Sequence, residues 1–290
     1  MRWRGREQSE NVEDRRGMGP AAMAMGGGGI LVLIMAVVAL FLGADPRDVA
    51  GLVGQAQRPA VVPGAGKGAG VEDDNKEFVA VVLRDTEQVW TKLFQENVQG
   101  GRYQPPRLVL FAGAVQTACG TASAAVGPFY CPGDQQVYID PAFFDELARR
   151  HKAPGDFASA YVIAHEVAHH VQHLLGFDGP VNQIRQRGSS EAANQASVRL
   201  ELQADYLAGV WAHHAHRDYA ILEQGDLEEA IRAANQIGDD TLQKQATGFV
   251  IPERFTHGTS AQRVKWFSRG FQSGDLGQCQ QLFKLDYSQL

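Results

Sequence analysis

Residues 164–173 read AHEVAHHVQH, and a chain that carries this run has few ways to fold around it. Four histidines and one glutamate share the segment with an apolar stripe, because Phe157, Tyr161, Ala164, Ala168, Val171 and Leu175 recur at helical spacing. The pattern predicts a helix that begins near Asp156, an N-cap candidate, and stops at Gly176, a C-cap candidate. Each helical residue advances about 100°, so His165 and His169 lie about 40° apart on one face, one turn along. Two imidazole nitrogens can then reach one metal ion. Glu166 lies about 100° from His165 and about 60° from His169, too far round to ligate with them but close enough to touch a water at the ion. His169 and His173 form a second pair at the same spacing, but His170 stands where a carboxylate would be needed. His170 and His173 therefore read as surface or outer histidines.

His-Glu-x-x-His is the arrangement of zinc hydrolases. Zinc with three protein ligands and one open position lowers the pKa of its water to about 7, and an adjacent carboxylate can take up the proton released. The motif also arises by chance on the order of once per hundred chains of this size, so a third ligand is required. The metzincin extension needs glycine at 172 and histidine at 175, whereas the chain has Gln172 and Leu175; that class is excluded. Downstream, RLELQAD places Glu201 and Asp205 four apart on another long helix, again about 40° apart. Glu201 can ligate while Asp205 accepts the free N–H of a ligating imidazole. The competing reading makes both acids a solvated face shared with Arg199.

The N-terminus follows different rules. No charged residue occurs between Arg16 and Asp45, and Ile30 to Leu42 is continuously apolar. This apolar core is shorter than the roughly 20 residues that span a bilayer as helix, so a spanning segment must also take in Ala21 to Gly29. Arg2, Arg4, Arg6, Arg15 and Arg16 precede it, which predicts a cytoplasmic N-terminal segment and a translocated remainder. Cleavage after Ala44 is the rival, weakened by Leu42 and by the long polar leader. The expected layout is a cytoplasmic segment over 1–20, a transmembrane anchor over 21–44, a Gly/Ala/Pro-rich linker over 45–75 and a domain over 76–290. A net charge of −6 offers no basic face for phosphates, so nucleic acid is set aside as a partner. Three cysteines suit an oxidising compartment; Cys119 and Cys131 close a small loop, with free thiols or a pairing with Cys279 as alternatives.

In the domain, 78–94 is spaced as a helix, 107–113 reads as a short buried strand and 135–140 as an edge strand. Pro141 opens a helix, Ser190 caps a long one, and 227–237 and 260–271 are clear periodic pieces. Helices outnumber strands and the strands come early: an α+β layout, mainly helical, with a small sheet.

With HEVAHH, LELQAD and HGTSAQR in view, the chain resembles the putative neutral zinc metallopeptidases of bacteria, single-pass membrane proteins. The likeness runs from about Val79 to Phe283 and includes GPFYCPGDQQVYID, SVRLELQAD, AGVWA and IGDD. It implies a zincin-like domain with a gluzincin-type site and one Zn2+ per chain: His165, His169 and Glu201 as ligands, Glu166 as base, Asp205 beside them. THGTSAQR also looks like the histidine segment of membrane-associated gluzincins, which would make His257 the oxyanion donor and Arg263 an organiser of the site. The alternative for His257 is a loop histidine before a helix capped by Ser260. The sequence thus points to a membrane-anchored, extracytoplasmic peptidase acting on a protein or peptide. Its rivals are a non-catalytic zinc-containing binding or assembly factor, and an amidase for cell-wall peptides.

Overall fold

The computed structural model describes residues 1–17 and 73–290. The expected transmembrane anchor at 21–44 and most of the linker at 45–75 lie outside the described residues. No helix among the described residues is long and apolar enough to cross a membrane.

The elements run β1 (Val12–Asp14), α1 (Asp74–Asn97), β2 (Arg107–Leu110), β3 (Ala114–Thr117), β4 (Gly120–Ser123), β5 (Phe129–Cys131), β6 (Gln136–Ile139), α2 (Ala142–Arg149) and α3 (Asp156–Leu175). They continue with α4 (Asp178–Arg187), α5 (Ser190–Tyr219), α6 (Asp226–Gln236), α7 (Asp239–Thr247) and α8 (Ser260–Ser273). The layout is α+β and mainly helical, as expected.

Four strands form one sheet in the order β1-β2-β6-β5, with β1, β2 and β6 parallel and β5 antiparallel to β6. Alternation sends Leu108, Leu110, Val137 and Ile139 into the main core, while Val109 and Tyr138 face a smaller apolar cluster with Phe111, Val115 and Cys131. Both faces are covered, which is why RLVL reads as a continuous apolar run. β6, expected at an edge, is interior; β5 supplies the strand beyond it through the register Phe129–Tyr138. The separate hairpin β3–β4 is tied to β5 by the Cys119–Cys131 disulfide, whose Cα atoms are 5.9 Å apart.

Helix α3 lies in the middle of the helical body. Its buried residues run almost unbroken from Phe157 to Val171, a far wider buried surface than one apolar stripe provides. Gly155 precedes it as N-cap, and Glu229 of α6 accepts a hydrogen bond from the Phe157 N–H at 3.1 Å, so Asp156 is the first helical residue and not the cap. Ser189 caps α5 and Thr259 caps α8, each one residue ahead of the expected serine.

Helices α5 and α8 cross at two glycines. A Cβ on Gly209 would stand 2.1 Å from the Phe267 carbonyl oxygen, and one on Gly270 would stand 2.0 Å from that of Tyr206. Only hydrogen at both positions lets the two backbones meet. That contact brings Arg263 of α8 against Asp205 of α5.

The largest departure from the sequence expectation concerns the N-terminus. Met1–Asp14 forms one compact unit with Asp73–Leu290, whereas the expected layout sets 1–20 apart from a domain at 76–290. Met1 and Trp3 are buried in the main core, and the Trp3 ring meets Phe78 edge-on at 5.4 Å. β1 extends the sheet along β2, with Val12 opposite Leu108. Arg4 and Arg6, which read as signals for cytoplasmic retention, ion-pair Asp74 and Asp85 at 2.8 and 2.6 Å.

Candidate metal centre

Several elements converge on a cleft of about 610 Å³. Helix α3 supplies His165, Glu166 and His169, α5 supplies Glu201, and His257 and Arg263 come from the start of α8 and the loop before it. The opposite wall is the stretch from Ala125 to Tyr130 together with Phe143 of α2.

One ligand atom each from His165, His169 and Glu201 lies within 4.8 Å of the other two. Glu201 Oε2 stands 3.2 Å from His165 Nε2 and 3.5 Å from His169 Nε2. The other ring nitrogens are already engaged. His165 Nδ1 donates to Asp205 Oδ1 at 2.9 Å, and His169 Nδ1 donates to Gln172 Oε1 at 2.8 Å. With those protons on Nδ1, both Nε2 atoms carry lone pairs toward the Glu201 carboxylate. Three electron-rich atoms this close repel one another unless a cation lies among them. Two imidazoles and a carboxylate are the donor set of a catalytic zinc, so the residues fit that ion.

Protons on the Nε2 atoms would relieve the same repulsion, and the electrostatics of that metal-free, protonated form show the same preference. Burial works against a charged Glu201, yet the positive potential of His169 and hydrogen bonds from both histidines hold its carboxyl well below the usual range. Burial likewise opposes charge on His165, but Asp205 and Glu201 raise that ring to about 9. The cluster favours positive charge at its centre.

Behind the ligands lies a second buried layer. Asp205, fully buried, accepts from Arg263 at both oxygens, each at 2.9 Å, and from the Tyr161 hydroxyl at 2.6 Å. Burial, the largest single influence, would raise this carboxyl, but Arg263 and His165 together outweigh it and lower it to about 2. Asp205, singled out by its helical spacing from Glu201, and Arg263, singled out by the resemblance, meet here. Tyr161, which in sequence reads only as part of a core stripe, is a third member.

Gln172 joins them, although its sequence position speaks only against a metzincin. Its Oε1 fixes His169 while its Nε2 donates to the Leu200 carbonyl and to Gln203 of α5, at 2.6 and 3.0 Å. Its place three residues after His169, on the same side of the helix, is the one signal of this role that the sequence carries. We expect Gln172→Leu to weaken zinc binding by about 10- to 100-fold, with Gln172→Glu restoring much of it. Competition against a chromogenic chelator measures both, and equal affinities in all three proteins would remove Gln172 from this role.

Glu166 is buried beside the ligands in the cleft, and burial raises its carboxyl above the usual range against the pull of His169 and His165. His257 is aimed by Asp239. Its Nδ1 lies 3.1 Å from Asp239 Oδ1 and its backbone N–H donates to Oδ2 at 2.6 Å, which leaves Nε2 as the ring nitrogen for the cleft. Hydrogen bonding to Asp239 raises the His257 ring. Asp239 lies within the IGDD stretch, where no local pattern marks it for this contact.

The other two histidines of α3, His170 and His173, serve structure. His170 is buried, not at the surface: Tyr130 of β5 lies 3.0 Å from its Nδ1, and its Nε2 donates to the Gln104 carbonyl at 2.6 Å. Burial pushes this ring down to about 4. His173 pairs with Asp178 at 2.7 Å. Cys279 is a buried thiol, pushed up to about 12 by burial.

A family model described as "Putative neutral zinc metallopeptidase" matches residues 1–282. The uncharacterized protein YpfJ of Escherichia coli K12 is 46% identical over 96% of this chain and 98% of its own length. The uncharacterized proteins Mb2605 of Mycobacterium bovis and Rv2575 of Mycobacterium tuberculosis are each 40% identical over 83% of this chain and 84% of their own length. No solved structure matches.

Proposed function

The chain belongs to the family described as "Putative neutral zinc metallopeptidase", and from that premise we propose that it hydrolyses peptide bonds in a protein or peptide substrate, with one zinc ion per chain. The observation that carries this reading is the convergence of His165, His169 and Glu201 within 4.8 Å, with the buried carboxylate of Glu166 in the same cleft. A purely structural zinc is closed by four protein ligands; three donors and an adjacent carboxylate suit turnover.

Zinc held by His165, His169 and Glu201 would supply a Lewis acid able to polarise the scissile carbonyl and to make water acidic enough to be deprotonated near neutral pH. The side chains divide the remaining work. Glu166 accepts a proton from the attacking water and later delivers it to the departing amine. His257, oriented by Asp239, donates through Nε2 to the oxygen that becomes negative as the carbonyl turns tetrahedral; a donor of this kind is worth about 10²- to 10³-fold in rate. Asp205 holds His165 in the tautomer that leaves Nε2 free, and Arg263 and Tyr161 hold Asp205. Val126 and Phe143 add apolar surface to the cleft, against which an apolar side chain of the substrate can pack. The apolar run Ile30–Leu42 supports attachment of the protein to a membrane.

Metal analysis and chelation test the reading. The purified full chain is expected to bind one zinc, to cleave peptides from a quenched-fluorescence library, to lose that activity on chelation and to regain it with added zinc. Hydrolysis that persists after complete removal of zinc would refute it.

A further inference from the structure

We infer that the N-terminal segment Met1–Asp14 and the domain Asp73–Leu290 lie on the same side of the membrane. This inference is independent of the peptidase reading and stands against the separation of a cytoplasmic N-terminal segment from a translocated domain that the arginine distribution predicts.

The reason is the way residues 1–14 are built into the domain. Their backbone is hydrogen-bonded to it along its length: the Arg2 N–H donates to the Ile221 carbonyl at 2.8 Å, the Ser9 N–H to Ala80 at 3.0 Å, and the Leu108 N–H to Asn11 at 2.9 Å. β1 pairs in register with β2, which without it would present an unpaired edge. The side chains are equally committed. Met1 and Trp3 fill the core beside Phe78, so undocking them opens a cavity under α1.

Charge makes the strongest case. Asp85 is 2% exposed and Glu87 5% exposed, and their partners come from the N-terminal segment. Arg6 pairs with Asp85 at 2.6 Å, while the Ser9 hydroxyl and the Asn11 amide donate to Glu87 at 2.5 and 2.8 Å. Arg84 adds a contact from within α1, at 3.1 Å to Glu87 and 2.8 Å to Glu7. If residues 1–14 were held across a bilayer, Asp85 would lose its arginine and Glu87 two of its donors, and the apolar surface that Met1 and Trp3 cover would be left without its packing, a destabilising arrangement. The membrane interior cannot transmit any of these contacts, since strand pairing and ion pairing need atoms within a few ångströms. A single crossing and a complete domain are therefore exclusive states, and the packing favours the complete domain.

The topology can be read with single cysteines at Gln8 and at Glu228, both exposed, introduced separately into the full chain in cells. The native cysteines form a disulfide or are buried, and unsubstituted protein gives the background. A membrane-impermeant maleimide is applied before and after permeabilisation. The inference requires the two sites to behave alike, labelled in intact cells or labelled only after permeabilisation. Labelling of one site in intact cells and of the other only after permeabilisation would overturn it. Docking is checked separately with Trp3→Ala in the purified full chain, expected to lower Tm by roughly 10 °C; an unchanged Tm would mean that residues 1–14 do not belong to the domain.

Discussion

Glu166→Gln is expected to lower kcat/KM for peptide hydrolysis by about 10²- to 10⁴-fold and to leave one zinc ion bound. Glutamine keeps the shape and the hydrogen-bonding reach of the side chain, so the cleft around it need not repack. It cannot accept a proton. The expected loss is thus that of the base alone, because the atoms grouped to hold the ion belong to His165, His169 and Glu201. The environment of Glu166 suits proton transfer, since burial raises its carboxyl toward neutrality while His169 and His165 keep it ionisable. Quenched-fluorescence assays together with metal analysis distinguish three outcomes. Activity lost with zinc retained fits a base; activity and zinc lost together would make Glu166 a ligand or a structural support; unchanged activity would place the base elsewhere. An uncleaved partner retained by the variant would also identify the substrate.

The features legible in the sequence share one property, namely that a local periodicity encodes them. His165 and His169, then Glu201 and Asp205, are spaced by one helical turn, and the two turns meet because the buried faces of α3 and α5 carry His165 and Asp205 against each other. What escaped was encoded over distance. β1 is the tripeptide VED, without an apolar alternation of its own, and becomes a strand only because Leu108 lies opposite Val12. β6 reads as an edge strand because nothing local announces the short β5 that covers it. Asp239 is an ordinary first-turn acid until the backbone of Thr256 and His257 folds onto it. Tyr161 satisfies an apolar pattern with its ring, while its hydroxyl serves Asp205. The arginines at 4 and 6 carry the plainest lesson. As sequence they weigh on membrane orientation, but once folded they neutralise named carboxylates of α1.

Asp205→Ala is expected to destabilise the protein by about 3–5 kcal/mol, the usual cost of removing one partner of a buried ion pair. Arg263 is 3% exposed and would keep only weaker contacts, to the Ile237 carbonyl, the Tyr161 hydroxyl and His165 Nδ1, at 3.3, 3.2 and 3.4 Å. The pH dependence has a definite sign. The folded Asp205 carboxyl sits at about 2, below its ordinary value of 3.8, so its contribution is present above pH about 4 and is lost as pH falls toward 2. The variant should therefore show a shallower loss of stability over that acid window than the parent protein. A double variant separates stability from metal binding. Asp205→Leu with Arg263→Met replaces both charges by apolar groups, and such exchanges are often neutral or stabilising, so most of the lost stability should return. Zinc affinity should not, because His165 Nδ1 would still lack its acceptor, and outer partners of this kind are worth about 10- to 100-fold. Denaturant titration read beside chelator competition tests both halves. A double variant that regained full zinc affinity would show that Asp205 supports the fold through Arg263 without setting the tautomer of His165.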